Sequence, residues 1–281
     1  MHLIETRDLC YSYQTTPALL NVNFIAERKQ KIAIIGENGA GKSTLFKQFC
    51  GILYPTSGEV LVRGECITKK NLKEVRKTVG VVFQNVDDQI FSVTVEQDIA
   101  FGPTNLGLDA ETVKHRVSDA MDLLSISHLA SRPPHQLSGG EKKRVAIAGV
   151  LAMEPSVLVL DEATAGLDSR GVRDLVAFLQ RLPEELGMTV IFATHHIDLV
   201  VELADIVYVL DKGTVAAVGS VAEIFSQFEL LDRLGIDLPS IPLLHKKLQE
   251  SGVVIPMAYC VGESLDLLIQ WSHLKRGQQE L

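Results

Sequence analysis

The chain is 281 residues long, 46% hydrophobic and 22% charged, enough to build one large core or a core with a small appendage. Its formal charge is −8, from 27 Lys+Arg against 35 Asp+Glu, which argues against broad nucleic-acid binding but not against one nucleotide held by backbone amides. Cys10, Cys50, Cys66 and Cys260 are scattered without a CxxC pair, so neither a zinc site nor a disulfide framework is expected.

Residues 1–30 alternate apolar and polar in two stretches divided by Gln14-Thr15-Thr16-Pro17, the pattern of a hairpin; the opening MHLIETRDLC lacks the basic and apolar blocks of a signal peptide. Lys31 to Ile35 is a short apolar strand, residues 36–43 are glycine-rich, and Leu45, Phe46, Phe49 and Leu53 continue at helical spacing. A turn at Thr56-Ser57-Gly58 precedes the strand EVLVRG, and a buried strand ends at Phe83. The spacing of Val113, Val117, Ala120, Met121 and Leu124 predicts a helix over about 109–129. Ser138 starts another, which Pro155 ends. The segments VLVLDE, TVIFATHH and DIVYVLDKG read as strands separated by a helix around Val172–Leu179. Apolar strands alternating with helices imply an α/β fold with a mainly parallel sheet covered on both faces. Residues 220–281 read as helical, with Pro239, Pro242 and Pro256 as breaks. No apolar run reaches the roughly 18 residues of a spanning helix, so direct membrane insertion is not expected.

Gly36-Glu37-Asn38-Gly39-Ala40-Gly41-Lys42-Ser43, followed by Thr44, matches GxxxxGK[ST] in a strand–loop–helix context. The glycines let successive N–H groups converge on an anion, and the helix N-terminus adds partial positive charge. Lys42 is placed to reach the outer phosphates of a nucleoside triphosphate and Ser43 to ligate Mg²⁺. Asp161 and Glu162 end an apolar strand, where two carboxylates need a cation to face: Asp161 as metal holder, Glu162 to orient or deprotonate the attacking water. Leu137-Ser138-Gly139-Gly140-Glu141 is a helix start with a capping box and bare first-turn amides. It lies so far along the chain that one terminal phosphate could use both anion sites if two chains paired head to tail.

Taken together these strings resemble the ATP-binding cassette (ABC) family, whose signature is LSGGE, over about residues 1–220. The resemblance implies a P-loop NTPase fold of the RecA-like kind, with an antiparallel β subdomain and a helical subdomain over about 86–153. It implies ATP and Mg²⁺ as cofactors and a dimer of cassettes sandwiching two nucleotides. Residue by residue, Tyr13 resembles the adenine-stacking aromatic, and Gln84 the glutamine that touches Mg²⁺ and links to the transporter partner. Asp168, in AGLD, resembles the loop at the dimer seam, and His195 the histidine that contacts the γ-phosphate. The segment Phe83–Phe91, with Asp98-Ile99-Ala100-Phe101-Gly102-Pro103, is similar to energy-coupling-factor ATPases of the cobalt-transport type. That similarity implies a peripheral subunit on the cytoplasmic face of the cell membrane. Its partners would be a second cassette, identical or paralogous, and transmembrane subunits importing cobalt, nickel or a vitamin. Residues 221–281 resemble the family's small helical extension, a possible dimerisation element. Three departures stand out: Glu37, Val86 and Val93 replace residues that are commonly proline, and Glu37 is expected to point away from the phosphates.

Rival readings are weaker. Gln84 and Ser138 are only 54 positions apart, too close for the coiled-coil insertion of repair ATPases. Translation-type proteins usually carry two cassettes. No NKxD string marks a GTPase, and the presence of Glu162 and His195 argues against a binding-only regulator.

Overall fold

The structure, a computed structural model, describes residues 2–279, with side chains as far as His273. It opens with strands β1 (Ile4–Tyr13), β2 (Thr16–Ala26) and β3 (Lys31–Ile35) and helix α1 (Lys42–Phe49). Then come β4 (Ser57–Val62), β5 (Glu65–Cys66), α2 (Leu72–Thr78) and β6 (Val79–Val82). Helices α3 (Val95–Asn105), α4 (Ala110–Leu123) and α5 (Gly139–Leu151) lead into β7 (Val157–Asp161). After it follow α6 (Ser169–Glu185), β8 (Thr189–Ala193), α7 (Ile197–Leu203), β9 (Ile206–Asp211) and β10 (Thr214–Ser220). Short helices α8 (Val221–Phe225), α9 (Phe228–Arg233) and α10 (Ser240–Glu250) and the longer α11 (Val261–Gln279) finish the chain; residues 280–281 of the expected extension lie outside the described residues.

The six-stranded sheet runs β10-β9-β3-β8-β7-β6, parallel except for β10, and an antiparallel sheet runs β2-β1-β4-β5. Its central strand β3 has no polar face. Ile32 and Ile34 pack with Phe24, Phe46 and Phe49 beneath the antiparallel sheet, while Ala33 and Ile35 pack with Ile99, Val145, Ile147 and Val190 on the helical side. A strand covered on both faces reads as an unbroken apolar run, which is why Lys31–Ile35, Val157–Leu160 and Thr189–Ala193 look alike in sequence. Phe24 stacks obliquely on Phe49 and Tyr208 with centroids 4.9 and 4.6 Å away, welding the two sheets.

Several boundaries differ from the sequence reading. The helix expected over 109–129 stops at Leu123; Ser125 takes φ 56° and a 3₁₀ turn at Ser127–Leu129 follows, so Leu129 reaches the core from outside the helix. The helix around Val172–Leu179 is longer at both ends; its start is set by Asp168, which caps it by accepting from the Gly171 N–H at 2.8 Å. Phe83 lies beyond β6, and Ser57 and Gly58 lie within β4. β10 was missed: it is an antiparallel edge strand with alternating exposure and no strongly apolar run. Pro242 does not break α10; it sits in the first turn, where a missing N–H removes no helical bond.

The C-terminal helices dock on the rest of the chain. Ile224, Phe225 and Leu231 are fully buried in the helical-side core. Asp198 of α7 accepts from the Ser240 N–H at 2.6 Å and its hydroxyl at 2.8 Å. His245, also fully buried, bridges the Pro256 carbonyl and the Ser264 hydroxyl at 2.8 Å each.

Candidate nucleotide site

Four adjacent parallel strands, β3, β8, β7 and β6, end on one edge of the sheet, and each carries a sequence-predicted residue just beyond its C-terminus. The phosphate loop follows β3, Asp161 and Glu162 end β7, His195 follows β8 and Gln84 follows β6. The C-terminal edge of a parallel sheet is where α/β folds bind ligands.

The loop from Gly36 to Gly41 depends on glycine for measurable reasons. Gly36 has φ 150°, and a Cβ there would fall 2.2 Å from the Leu210 carbonyl oxygen; Gly41 has φ 106°, and a Cβ would meet the Ala18 carbonyl oxygen at 2.7 Å. Gly41 is the N-cap of α1 and supplies no side-chain cap, so the first-turn amides of Lys42, Ser43 and Thr44 are uncapped donors for an anion. Ala40 is buried and Asn38 and Gly39 are exposed at the rim. Lys42 is buried, and its ammonium donates back into the loop, to the carbonyls of Gly36 at 2.7 Å and Glu37 at 3.0 Å. Burial holds its pKa below the usual lysine range, against the opposing pull of the Glu162 and Asp161 carboxylates. The Glu37 side chain turns away from the loop, so that a Cβ on Gly235 would lie 2.5 Å from its Oε1.

Asp161 and Glu162 are only 3% and 4% exposed. Burial raises the Asp161 pKa, with the Ser43 hydroxyl and Lys42 lowering it. Glu162 has φ 54°, a left-handed conformation uncommon outside glycine, and its N–H donates to the Ala193 carbonyl at 3.1 Å. Its Oε2 accepts from the His195 N–H at 3.3 Å, and its Oε1 lies 3.1 Å from His195 Nε2 without hydrogen-bond geometry. Asp161 Oδ1 and Glu162 Oε1 are thus buried acceptors without a hydrogen-bond donor. Such groups want a cation or a water beside them. Among the described residues no group of three or more His, Cys, Asp or Glu could cage a metal alone, so a cation here would share its shell with phosphate oxygens.

The remaining residues gather less tightly. Tyr13 ends β1 beside the loop, 44% exposed, edge-on to Tyr11 at 4.9 Å and with its hydroxyl 3.4 Å from Thr44 Oγ1. Gln84 is exposed. Ser138 caps α5, accepting from the Glu141 N–H at 3.3 Å while its own N–H and hydroxyl donate to Glu141 Oε2 at 2.7 Å. Among the described residues no hydrogen bond or ion pair joins Ser138, Gly139, Gly140 or Asp168 to the phosphate loop, so within one chain they form a separate surface.

Three polar residues around the site escaped the sequence reading. Gln89 closes the end of β6, accepting from the Phe83 N–H at 2.7 Å and donating to the Val81 carbonyl at 3.0 Å. Lys142 pairs with Asp87 at 2.6 Å, tying α5 to the segment after Gln84. Lys143 is 4% exposed and points at the Glu162 backbone. Its signal was legible: Lys143 stands in helical phase with Ile147 and Leu151, on the apolar face of α5.

A glycine-rich loop opening a helix beside a strand-end acid pair at the edge of a parallel sheet defines a P-loop nucleoside triphosphatase. The ABC transporter family model matches residues 19–165. The energy-coupling factor transporter ATP-binding protein of Methanoculleus marisnigri is 68% identical over 260 residues, 92% of this chain and 94% of that protein. The corresponding protein of Methanospirillum hungatei is 60% identical, covering 94% and 96%. Among solved structures, the cbiO1 protein of Clostridium perfringens, part of the ABC transporter complex cbiONQ, superposes with TM-score 0.74 at 43% identity over 87% of this chain and 99% of that one. A bacterial ABC cassette solved as a dimer gives 0.72 at 27% identity over 78% and 98%. The chain belongs to the ABC transporter family, among the ATP-hydrolysing subunits of energy-coupling factor transporters.

Proposed function

We propose that two cassettes close on two ATP molecules, each held by the phosphate loop of one chain and the Ser138–Gly140 turn of the other. The pair of unpartnered buried carboxylate oxygens on Asp161 and Glu162, with the single strand β8 between β7 and the strand that carries the phosphate loop, carries this reading. Lys42 exchanges its loop carbonyls for the outer phosphate oxygens, and the α1 amides hold the phosphate chain. Ser43 and Asp161, with Gln84 beyond the end of β6, would hold Mg²⁺, which would neutralise phosphate charge. Glu162 takes the proton of the attacking water, while His195 swings from Glu162 to the γ-phosphate. Tyr13 supplies a face for the adenine ring.

The domain division at about residue 220 and the helical subdomain at about 86–153 fit a cassette that must pass this closure to a membrane partner. A cavity of about 630 Å³, lined in part by Phe83, Gln89, Phe91, Phe101, Val150 and Met153, opens beside the Gln84 segment. Phe91 and Phe101 meet edge to face at 4.7 Å and are 64% and 49% exposed, an aromatic rim suited to a helix of a transmembrane subunit. Among the described residues no helix is long and apolar enough to cross a membrane, so that partner supplies the span. The protein then works peripherally, on the cytoplasmic face where ATP is available, and the cargo is a cobalt or nickel ion or a vitamin chosen by its partners.

The test is Glu162→Gln with ATP and Mg²⁺, followed by light scattering and phosphate release. Hydrolysis is expected to fall by about a hundredfold or more, and the chain to accumulate as a nucleotide-bound dimer. Near-normal turnover, or a strictly monomeric species with and without membrane subunits, would overturn the reading.

A further inference from the structure

Lys143 presents a buried cation with no anion against it. Its Nζ donates to the Glu162 carbonyl at 3.0 Å and to the Ala165 carbonyl at 2.9 Å, spanning from α5 to the turn that joins β7 to α6. Among the described residues it makes no ion pair. Its position on α5 is flanked on the same face by Ile147 and Leu151, where an apolar side chain would pack without the desolvation that an ammonium suffers. Burial depresses its pKa, with the Glu162 carboxylate acting the other way.

What the lysine holds is unusual. Glu162 is a left-handed, non-glycine residue, and such a backbone persists only when its surroundings determine it. Its N–H is fixed to Ala193, and its carbonyl accepts from both Lys143 and the Ala165 N–H at 3.0 Å. The Ala165 carbonyl, Lys143's other acceptor, begins the segment that runs through Gly166 and Leu167 to Asp168. Five residues upstream of Lys143, on the same helix end, stands Ser138 with the open Gly139 and Gly140 turn.

We propose that Lys143 is a positioning residue that ties the N-terminal end of α5 to the backbone of Glu162, so that the carboxylate is aimed at the attacking water only while α5 is seated. It acts through Glu162 and touches no nucleotide, and it rests on the reading of Glu162 as the base. Because the same helix end would grip the other chain's nucleotide, the tie makes occupancy of that trans surface felt at this chain's own acid.

The experiment compares the full chain with Lys143→Met, which keeps the bulk and loses the donors, and with Lys143→Gln. Phosphate release is measured across ATP concentrations, binding of a fluorescent ATP analogue is titrated, and each variant is melted. A positioning role lowers kcat at least fivefold in Lys143→Met while KM and analogue affinity stay within twofold. A fall of less than fivefold, or an affinity loss that keeps step with kcat, overturns it. Should Lys143→Met fail to fold, Lys143→Gln decides: a kcat at least twofold down with unchanged KM supports the role, and anything smaller overturns it. Glu162→Gln run in parallel separates the two readings. If it still turns over, the base assignment is wrong; if it is inactive while Lys143→Met works normally, only the lysine's role is lost.

Discussion

Helices α1 and α5 both begin at glycines and both offer first-turn amides, yet they are built in opposite ways. The start of α1 is fixed by its own chain: Gly36 and Gly41 are pressed against the carbonyls of Leu210 and Ala18, and the first turn is uncapped. The start of α5 is capped by its own Ser138–Glu141 box, while Gly139 has no neighbour within 4 Å of a would-be Cβ. Bareness at Gly139 serves nothing inside this molecule. On the proposed reading, one anion site is complete in a single chain and the other takes a ligand brought by a second chain.

The sharpest way to break this contrast is complementation. Lys42→Ala chains and Ser138→Arg chains should each be inactive alone, one lacking the cis grip and the other blocking the trans grip. Mixed in equal amounts, they should recover about a quarter of wild-type phosphate release, because half of randomly paired dimers are heterodimers and each of those has one of its two composite sites intact; no recovery would mean that the two sites do not meet across chains. Next comes a pair of glycine changes. Gly41→Ala forces an L side chain into φ 106° and against a backbone carbonyl, about 1–3 kcal/mol of strain, and should lower both the melting temperature and ATP affinity. Gly139→Ala should leave the melting curve of the isolated chain unchanged and yet reduce ATPase activity, roughly tenfold, by crowding the seam. If instead Gly139→Ala melts early, the glycine serves this chain and the contrast falls.

A smaller effect is expected at the acid pair. Asp161→Asn relieves a buried carboxylate with one unpartnered oxygen, Oδ1, and should raise the nucleotide-free melting temperature by about 1–3 °C while reducing Mg²⁺-dependent hydrolysis at least tenfold. A melting temperature that falls would show that the charge stabilises the empty site. The smallest effect belongs to Lys142→Ala. Its partner Asp87 is 65% exposed, so the pair contributes at most about 1 kcal/mol, and the melt should hardly move. Its consequence should be read as a changed stimulation of ATPase activity by membrane subunits.

The sequence revealed most where chemistry and conformation are written in the same few residues. The phosphate loop, the acid pair and the capped α5 were legible because each couples a turn geometry to a ligand-binding residue type. Signals were weak where tertiary contacts decide. Periodicity carried α4 past Leu123 because Leu124 and Leu129 remain buried outside the helix. The edge strand β10 has no apolar run to announce it, and Pro242 reads as a break only until its place in the first turn is known. Lys143 escaped notice because a lysine after a glycine-rich helix start looks like solvent-facing charge; its phase with Ile147 was the clue.

The place of β3 has a thermodynamic corollary. It lies between β9 and β8, buried on both faces, and the loop that would hold phosphate springs directly from its end. The strand that launches the binding loop therefore cannot open without loosening the middle of the sheet, so its opening is coupled to global unfolding. Nucleotide at a hundred times its dissociation constant would add about 2.7 kcal/mol to the stability of the entire cassette, which makes cellular ATP a thermal protectant of the protein as well as its fuel.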